Sequence, residues 1–380
     1  MHRERELTAS RVRAASVAAT AIACIGGALL IAAAAANRAW FDRHFLPSYW
    51  TPHEEIVREG MHVRTAVAII AIIVIVSSRR IGRSLAAAPL YALTIPVAIA
   101  MALGVTELVL RHQSPPLTEP KTHIDASLGW LIDPGRSGTV THLGHRTVYV
   151  FDRNGYRVAN RTVQTDFDAP TIIFTGESMM VGHHLTWSDT IPAQTAALLG
   201  VQSANIAVSG FATDQSYLRL RSELPRFRHP VAVVALFAPS IFDRNLDDNR
   251  PHLARGLVWR PSVKHWRITS LAKHALGYRS EEAIEDGIAT TREVLVATVR
   301  LARSRGAVPL IVVPQFEPEE SRERELRRRI LDDAHLPYVY VPLDPDDRIE
   351  NDGHPDADGA REIAEAIADA LDATLRDGRS

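Results

Sequence analysis

Between Ala14 and Ala36 the chain carries no charged side chain. A helix of roughly 20 apolar residues crosses the hydrocarbon of a bilayer, so this run fits a membrane better than water. Two more apolar runs follow. Thr65 to Ser78 is shorter and dense in isoleucine and valine; Ala86 to Leu110 is long, with Pro89 and Pro96 inside it and Glu107 near its end. Proline is tolerated in membrane helices where neighbouring groups re-satisfy the backbone. Residues 1–111 therefore read as a membrane anchor of about three transmembrane helices, at 14–36, 65–78 and 86–110.

Basic residues set the expected orientation. Arg3, Arg5, Arg11 and Arg13 precede the first run, and Arg79-Arg80-Ile81-Gly82-Arg83 follows the second. The positive-inside rule places both in the cytoplasm. Three spans then put everything beyond Arg111 outside, giving a multi-pass protein of the cell membrane with an extracytoplasmic domain. If 65–78 did not span, that domain would face inward. A cleaved signal peptide, with small residues near Ala32–Ala36, is the other reading of the first run, which is long for that role. Ala21-Ile22-Ala23-Cys24 is a faint lipoprotein cleavage box, but the apolar run continues past Cys24, as for a small apolar residue inside a membrane helix. Cys24 is the only cysteine, which excludes an internal disulfide and a thiolate zinc cluster. A formal net charge of -1 supplies no global field for nucleic acid.

Residues 112–168 read as a connector and a small β-rich extension. Pro115, Pro116 and Pro120 break the third helix. Thr147 to Phe151 has strand character, and Asp152-Arg153-Asn154-Gly155 is a turn signal.

From residue 169 onward the pattern alternates. Strands are expected at Thr171–Thr175, Ala204–Val208, Val231–Phe237, Pro309–Val313 and Tyr338–Val341. Helices are expected between them and at the end, over Thr190–Leu199, Asp214–Glu223, Glu281–Arg303, Glu319–Ala334 and Ala360–Leu371. This predicts an α/β domain over 169–380, a parallel sheet covered by helices on both faces, with its active site outside the carboxyl ends of the strands. An insertion at 243–280 breaks the rhythm. It holds Trp259 and Trp266 among basic residues running from Arg244 through Arg267 and Lys273 to Arg279. A cap or substrate-binding loop is one reading; a surface excursion against the membrane face is the other.

The stretch Ile172 to Gly182 carries the chemistry. A buried strand leads into Thr175-Gly176-Glu177-Ser178, where the chain turns into a helix. A serine there can present its hydroxyl at the sheet's carboxyl edge, with backbone N–H groups near a developing oxyanion. Ser178 needs a base. His354 lies in the turn Asn351-Asp352-Gly353-His354-Pro355, before the last helix, and Asp352 can orient its ring. Gly210, after the second strand, can offer an oxyanion N–H. No metal or other cofactor is expected. His183 and His184 are chain neighbours, and no carboxylate stands at ligand spacing from them. Met180 replaces the second glycine of the Gly-x-Ser-x-Gly elbow, which counts against the other common serine-hydrolase fold.

These residues resemble the SGNH, or GDSL-type, hydrolases. The first block is Gly176-Glu177-Ser178, with glutamate for the usual aspartate; the second ends at Gly210; the last is Asp352-Gly353-His354-Pro355. The resemblance covers roughly residues 120–372 and implies a three-layer α/β/α, flavodoxin-like domain. It also implies a catalytic set of Ser178, His354 and Asp352. Two further positions depart from the family pattern. Ser240 stands where an asparagine normally serves the oxyanion, with Asn245 a little later. Asn351 stands where the aspartate normally lies, with Asp352 one residue closer to the histidine. The expected function is a membrane-anchored serine esterase acting on an acylated small molecule, lipid or polysaccharide. An O-acyltransferase or deacetylase of cell-envelope polysaccharide shares the acyl-enzyme step. Three spans offer no obvious acyl-donor channel, which favours water as acceptor. A non-catalytic envelope binding protein with the same fold is the alternative of another class.

Overall fold

The computed structural model of the chain describes residues 2–48, 51–112, 122–266, 268–269 and 277–377. Pro115, Pro116, Pro120, Arg267 and Lys273 lie outside the described residues. The chain forms two compact units: one of Met1–Leu46, Thr51–Pro115 and His265–Arg279, the other of Pro47–Trp50, Pro116–Lys264 and Ser280–Ser380.

The first unit is helical: α1 (His2–Ala35), α2 (Arg38–His44), α3 (His53–Ala87) and α4 (Pro89–His112). The apolar run read at 65–78 lies inside α3, which extends well beyond it at both ends. Small residues let α1 and α3 approach closely. A Cβ added at Gly26 would stand 2.7 Å from Ile75 Cγ1, and one at Gly82 would stand 2.7 Å from the main-chain nitrogen of Ala19. Such backbone-to-backbone contact is how membrane helices gain packing when lipid is as apolar as leucine. Ile69, Ile72, Ile73, Val76 and Leu103 face outward. Two helices, Ala9–Ala35 and His53–Ala87, are long and apolar enough to cross a membrane, and Pro96–Leu110 is a shorter apolar helix. The last part of the insertion packs in this same unit. The Arg279 N–H donates to His44 O at 2.8 Å, Tyr278 stacks on Trp40 at 5.6 Å, and the Ile268 N–H donates to Glu107 Oε2 at 2.8 Å.

The second unit opens with two antiparallel pairs, β1 (Thr122–Asp125) with β2 (Gly129–Ile132), and β3 (Ser137–His142) with β4 (His145–Val150). Then come β5 (Thr171–Thr175), α5 (Ser178–Val181), α6 (Ile191–Leu199), β6 (Gln202–Asn205), α7 (Thr213–Glu223) and β7 (Pro230–Leu236). A small hairpin, β8 (His252–Ala254) with β9 (Val258–Arg260), lies in the insertion. The chain continues with α8 (Glu281–Ser304), β10 (Val308–Gln315), α9 (Ser321–Ile330), β11 (Tyr338–Pro342) and α10 (Ala357–Asp377).

Five of these strands form one parallel sheet in the order β11-β10-β7-β5-β6. Taken in chain order within the sheet this is the flavodoxin-like 2-1-3-4-5 arrangement. Side-chain alternation divides β5 between two cores. Ile172 and Phe174 pack with Ile363 and Ile367 of α10, whereas Ile173 packs with Leu220 of α7 and Ala302 of α8. The three layers follow from that split. The second strand, expected to reach Val208, ends at Asn205. Beyond it Ile206 and Val208 still donate to Phe174 O and Gly176 O, at 2.9 and 3.2 Å, on the β5 side.

Arg157 is one of the residues that tie the extension to the sheet, beside Asp166, which exchanges hydrogen bonds with the Gln202 amide of β6. The Arg157 N–H donates to Asn205 O at 3.2 Å. Its buried guanidinium donates to Val181 O at 2.6 Å, to Gly182 O at 2.5 Å and to Leu185 O, and lies over the Tyr149 ring at 4.4 Å. Burial pushes its pKa down to about 10, with Tyr149 acting in the opposite direction. Replacing Arg157 by methionine removes the donors to Val181 O and Leu185 O, while Gly182 O keeps the Leu185 N–H at 3.2 Å. The expected loss is about 3 kcal/mol, a fall of roughly 6–12 °C in the thermal midpoint of the protein. An unchanged midpoint would show that the carbonyls do not depend on it.

Candidate active site

The order of the sheet reverses between β5 and β7, and ligands of such folds bind in the crevice outside the strand ends at that point. The chain leaves β5 through Gly176, where an added Cβ would stand 3.0 Å from Leu236 Cβ and 3.2 Å from Met180 Cβ. Glu177 then caps the four-residue helix α5, its carboxylate accepting from the Met179 N–H at 3.0 Å. Ser178 is the first residue of that helix. Gly182 ends it in the left-handed conformation at φ +80°, in a space where a Cβ would lie 2.4 Å from Thr190 Cγ2. Asn205 Nδ2 donates to Met180 O at 2.9 Å and fixes the helix to the next strand.

His354 comes from a turn that closes on itself. The Ile349 N–H donates to His354 O at 2.8 Å, the Asp352 N–H donates to Ile349 O at 3.0 Å, and Asn351 and Gly353 are left-handed at φ +57° and +79°. This turn places His354 Nε2 2.7 Å from Ser178 Oγ and joins His354 Nδ1 to Asp352 Oδ1 in a short contact. The other Asp352 oxygen lies 3.3 Å from His184 Nε2. Burial works to raise the Asp352 pKa. The hydrogen bond from His354 and the charges of His354, His184 and His183 outweigh it and hold the carboxyl well below its usual range.

Glu177 and Arg244 also belong to this centre, and sequence reasoning did not assign them roles. Glu177 is almost wholly buried; its Oε2 accepts from the Ser178 hydroxyl and lies 2.9 Å from Arg244 Nη1. Burial opposes its charge, but Arg244, then His354 and the Ser178 and Met179 hydrogen bonds, bring its pKa below the usual value. The Ser178 hydroxyl thus has one proton and two acceptors. A neutral His354 that spends Nδ1–H on Asp352 presents a bare Nε2 and can take it. A protonated His354 donates instead, and the serine proton turns to Glu177. The signals were a carboxylate next to the serine and a basic residue after the third strand, but only the fold pairs them.

The oxyanion candidates are placed differently from one another. Gly210 lies at φ +78° in the turn after β6, covered by Trp130, whose Nε1 donates to Ser209 O at 3.0 Å. Asn245 has both ends of its amide engaged: Oδ1 accepts from the Thr213 N–H at 2.9 Å and Nδ2 donates to Thr291 Oγ1 at 3.1 Å. It ties the start of α7 to α8. Ser240 is half-buried in the 3₁₀ turn Pro239–Leu246, and no hydrogen bond joins it to Ser178 or His354 among the described residues.

The histidine pair after α5 separates in role. His183 packs against the His354 ring, centroids 4.8 Å apart, and burial, then the charges of His354 and His184, push its pKa down to about 3. His184 turns the other way. Sequence spacing put no carboxylate near this pair; the fold brings Asp352 and His142 to His184, with potential ligand atoms within 4.8 Å of one another. The His142 and His184 rings are stacked, 4.5 Å apart with 23° between planes. Imidazole lone pairs lie in the ring plane, so two stacked rings do not aim at one ion. In this arrangement the cluster fits a hydrogen-bonded stack better than a metal cradle.

No protein-family model matches the sequence, and no curated protein matches it. Among solved structures, the chain is similar to a GDSL-like lipase from Bacteroides thetaiotaomicron VPI-5482, at 13% identity over 54% of this chain and 88% of that one, TM-score 0.32. It is similar to an acetyl xylan esterase from the rumen bacterium Butyrivibrio proteoclasticus at 12% identity, over 56% of this chain and 66% of that one, TM-score 0.35. It is also similar to a member of the lipolytic G-D-S-L family from Veillonella parvula DSM 2008 at 10% identity, over 53% and 97%, TM-score 0.33. At identities of this order the chemistry has to be read from the chain's own residues.

Arg244→Met removes the cation from a buried carboxylate. It is expected to cost about 2 kcal/mol of stability, read as a lower thermal midpoint. Adding Glu177→Gln should recover at least half of that loss. A double variant as unstable as the single would show that the ion pair is not the cause.

Proposed function

We propose that this chain is a membrane-anchored serine esterase, with residues 1–111 as the multi-pass anchor and the α/β domain over 169–380 outside the cytoplasm. Its substrate would be an ester of an acylated small molecule, lipid or polysaccharide. The observation that carries this reading is the 2.7 Å contact of His354 Nε2 with Ser178 Oγ, with Asp352 on the opposite ring nitrogen.

Ser178 Oγ attacks the acyl carbonyl as its proton passes to His354 Nε2. The tetrahedral oxyanion collapses, the C–O bond to the leaving alcohol breaks, and His354 returns the proton to that alcohol's oxygen. Water then enters, gives a proton to His354, and attacks the acyl-serine; the acid leaves and Ser178 regains its proton. Asp352 stays ionised throughout and balances the imidazolium, as its depressed pKa requires. The Ser178 and Gly210 N–H groups are the main-chain donors assigned to the oxyanion, and Ser240 the side-chain donor, because the Asn245 amide is already engaged.

Full-length protein in detergent should hydrolyse a short p-nitrophenyl acyl ester, and Ser178→Ala should lower kcat by roughly a thousandfold or more. A serine-directed fluorophosphonate should label the wild type at Ser178. Unlabelled Ser178 would sink the assignment. An alkaline phosphatase fused after Ser380 should be active outside the cytoplasm, and an inactive fusion would reject the orientation.

A further inference from the structure

We propose that His184 is a positioning residue for the acid–base pair: its Nε2–H holds one oxygen of Asp352 while the other oxygen holds His354. The proposal rests on the reading of Ser178, His354 and Asp352 as the reacting set.

Asp352 lies only two residues before the histidine it serves, in a turn with left-handed residues on both sides. Its Oδ1 takes both the His354 ring and the His354 main-chain N–H, the latter at 3.3 Å. A carboxylate tethered by one oxygen can still rotate about its terminal torsion, which is broad. A donor on Oδ2 removes that freedom. His184 Nε2 stands 3.3 Å from Oδ2.

The tautomer follows from the surroundings. His184 Nδ1 is buried with no hydrogen-bond partner among the described residues, so the proton belongs on Nε2, where a carboxylate accepts it. Burial lowers the His184 pKa, more than Asp352 raises it. A neutral ring can donate to Asp352 without bringing a second full cation to compete with the imidazolium of His354.

His184 is itself held in place. Its main-chain N–H donates to Tyr149 Oη at 2.7 Å, its carbonyl accepts from Thr147 Oγ1 at 2.8 Å, and its ring stacks on His142. His142 Nε2 contacts Glu350 O at 2.9 Å, in the loop that carries Asp352. The small β-rich extension therefore sets Asp352 through the His184 ring, which makes no hydrogen bond to Ser178 among the described residues.

The test compares three variants of the full-length protein on the p-nitrophenyl ester. His184 sits at φ +59°, so phenylalanine and glutamine share the same backbone cost. Phenylalanine keeps a ring without the donor; glutamine keeps a donor at the Nε2 position. His184→Phe should lower kcat about tenfold to a hundredfold with KM within about twofold, and His184→Gln should stay within about threefold of wild type. His184→Asn tolerates the left-handed backbone but its amide falls short of Asp352, so its kcat should drop as far as that of the phenylalanine variant even if that variant folds poorly. In an Asp352→Ala background, His184→Asn should cost nothing further. An asparagine variant with wild-type kcat, a glutamine variant as impaired as asparagine, or a full additive loss in the Asp352→Ala background would each overturn the proposal. Full activity in Ser178→Ala would overturn the site reading instead, and the proposal with it.

Discussion

A buried guanidinium is an expensive group, and Arg157 is held among carbonyls and an aromatic ring instead of against a carboxylate. Three main-chain carbonyls at and just beyond the end of the serine's helix accept from it, and Gly182 O alone of these also takes the Leu185 N–H. Arg157 also seats Tyr149, whose hydroxyl accepts from the His184 N–H. The same residue pairs with Asn205 at the edge of the sheet. One residue of the extension thus joins the sheet edge through its main chain, and the short helix that carries Ser178 and the turn that carries His184 through its side chain. A four-residue helix has little cohesion of its own; its geometry is imposed from outside.

The charges around Ser178 are arranged so that each has a counterpart. Asp352 faces imidazole rings, and Glu177 faces Arg244. His183, half-buried and with its pKa pushed down, fills the space against His354 without adding charge. The sheet order makes room for this. Chain segments diverge between β5 and β7, and the segment after β7 returns Arg244 to the residue before the serine.

The alternation of apolar strands and amphipathic helices was legible because strand and helix periodicities are local properties. β5 and α6 fall within a residue of where residue types place them, and so do β7 and the start of α8. Residue types carry β6 too far along the chain, since Ile206 to Val208 are as apolar as any strand while the strand's actual start, Gln202-Ser203, is polar. Composition reveals only the middle of α3. Its ends, His53–Arg64 and Arg79–Ala87, carry charges that mask a helix whose middle is apolar. Along the sequence the insertion is a single excursion. Its hairpin belongs to the α/β unit and its end, His265–Arg279, to the helical unit, a division that depends on contacts and leaves no mark in composition.

Residue order alone named Ser178, His354 and Asp352, because a strand–glycine–serine turn and a histidine turn before a final helix are written in consecutive residues. It also named the apolar helices, since a run without charge has few places to go. Glu177 with Arg244 and His184 with Asp352 came only from the tertiary structure. Their partners are separated by 67 and by well over a hundred residues. No local pattern relates such positions: a buried charge is matched by whatever the fold carries to within about 3 Å of it, and that is decided by the sheet order, not by spacing along the chain.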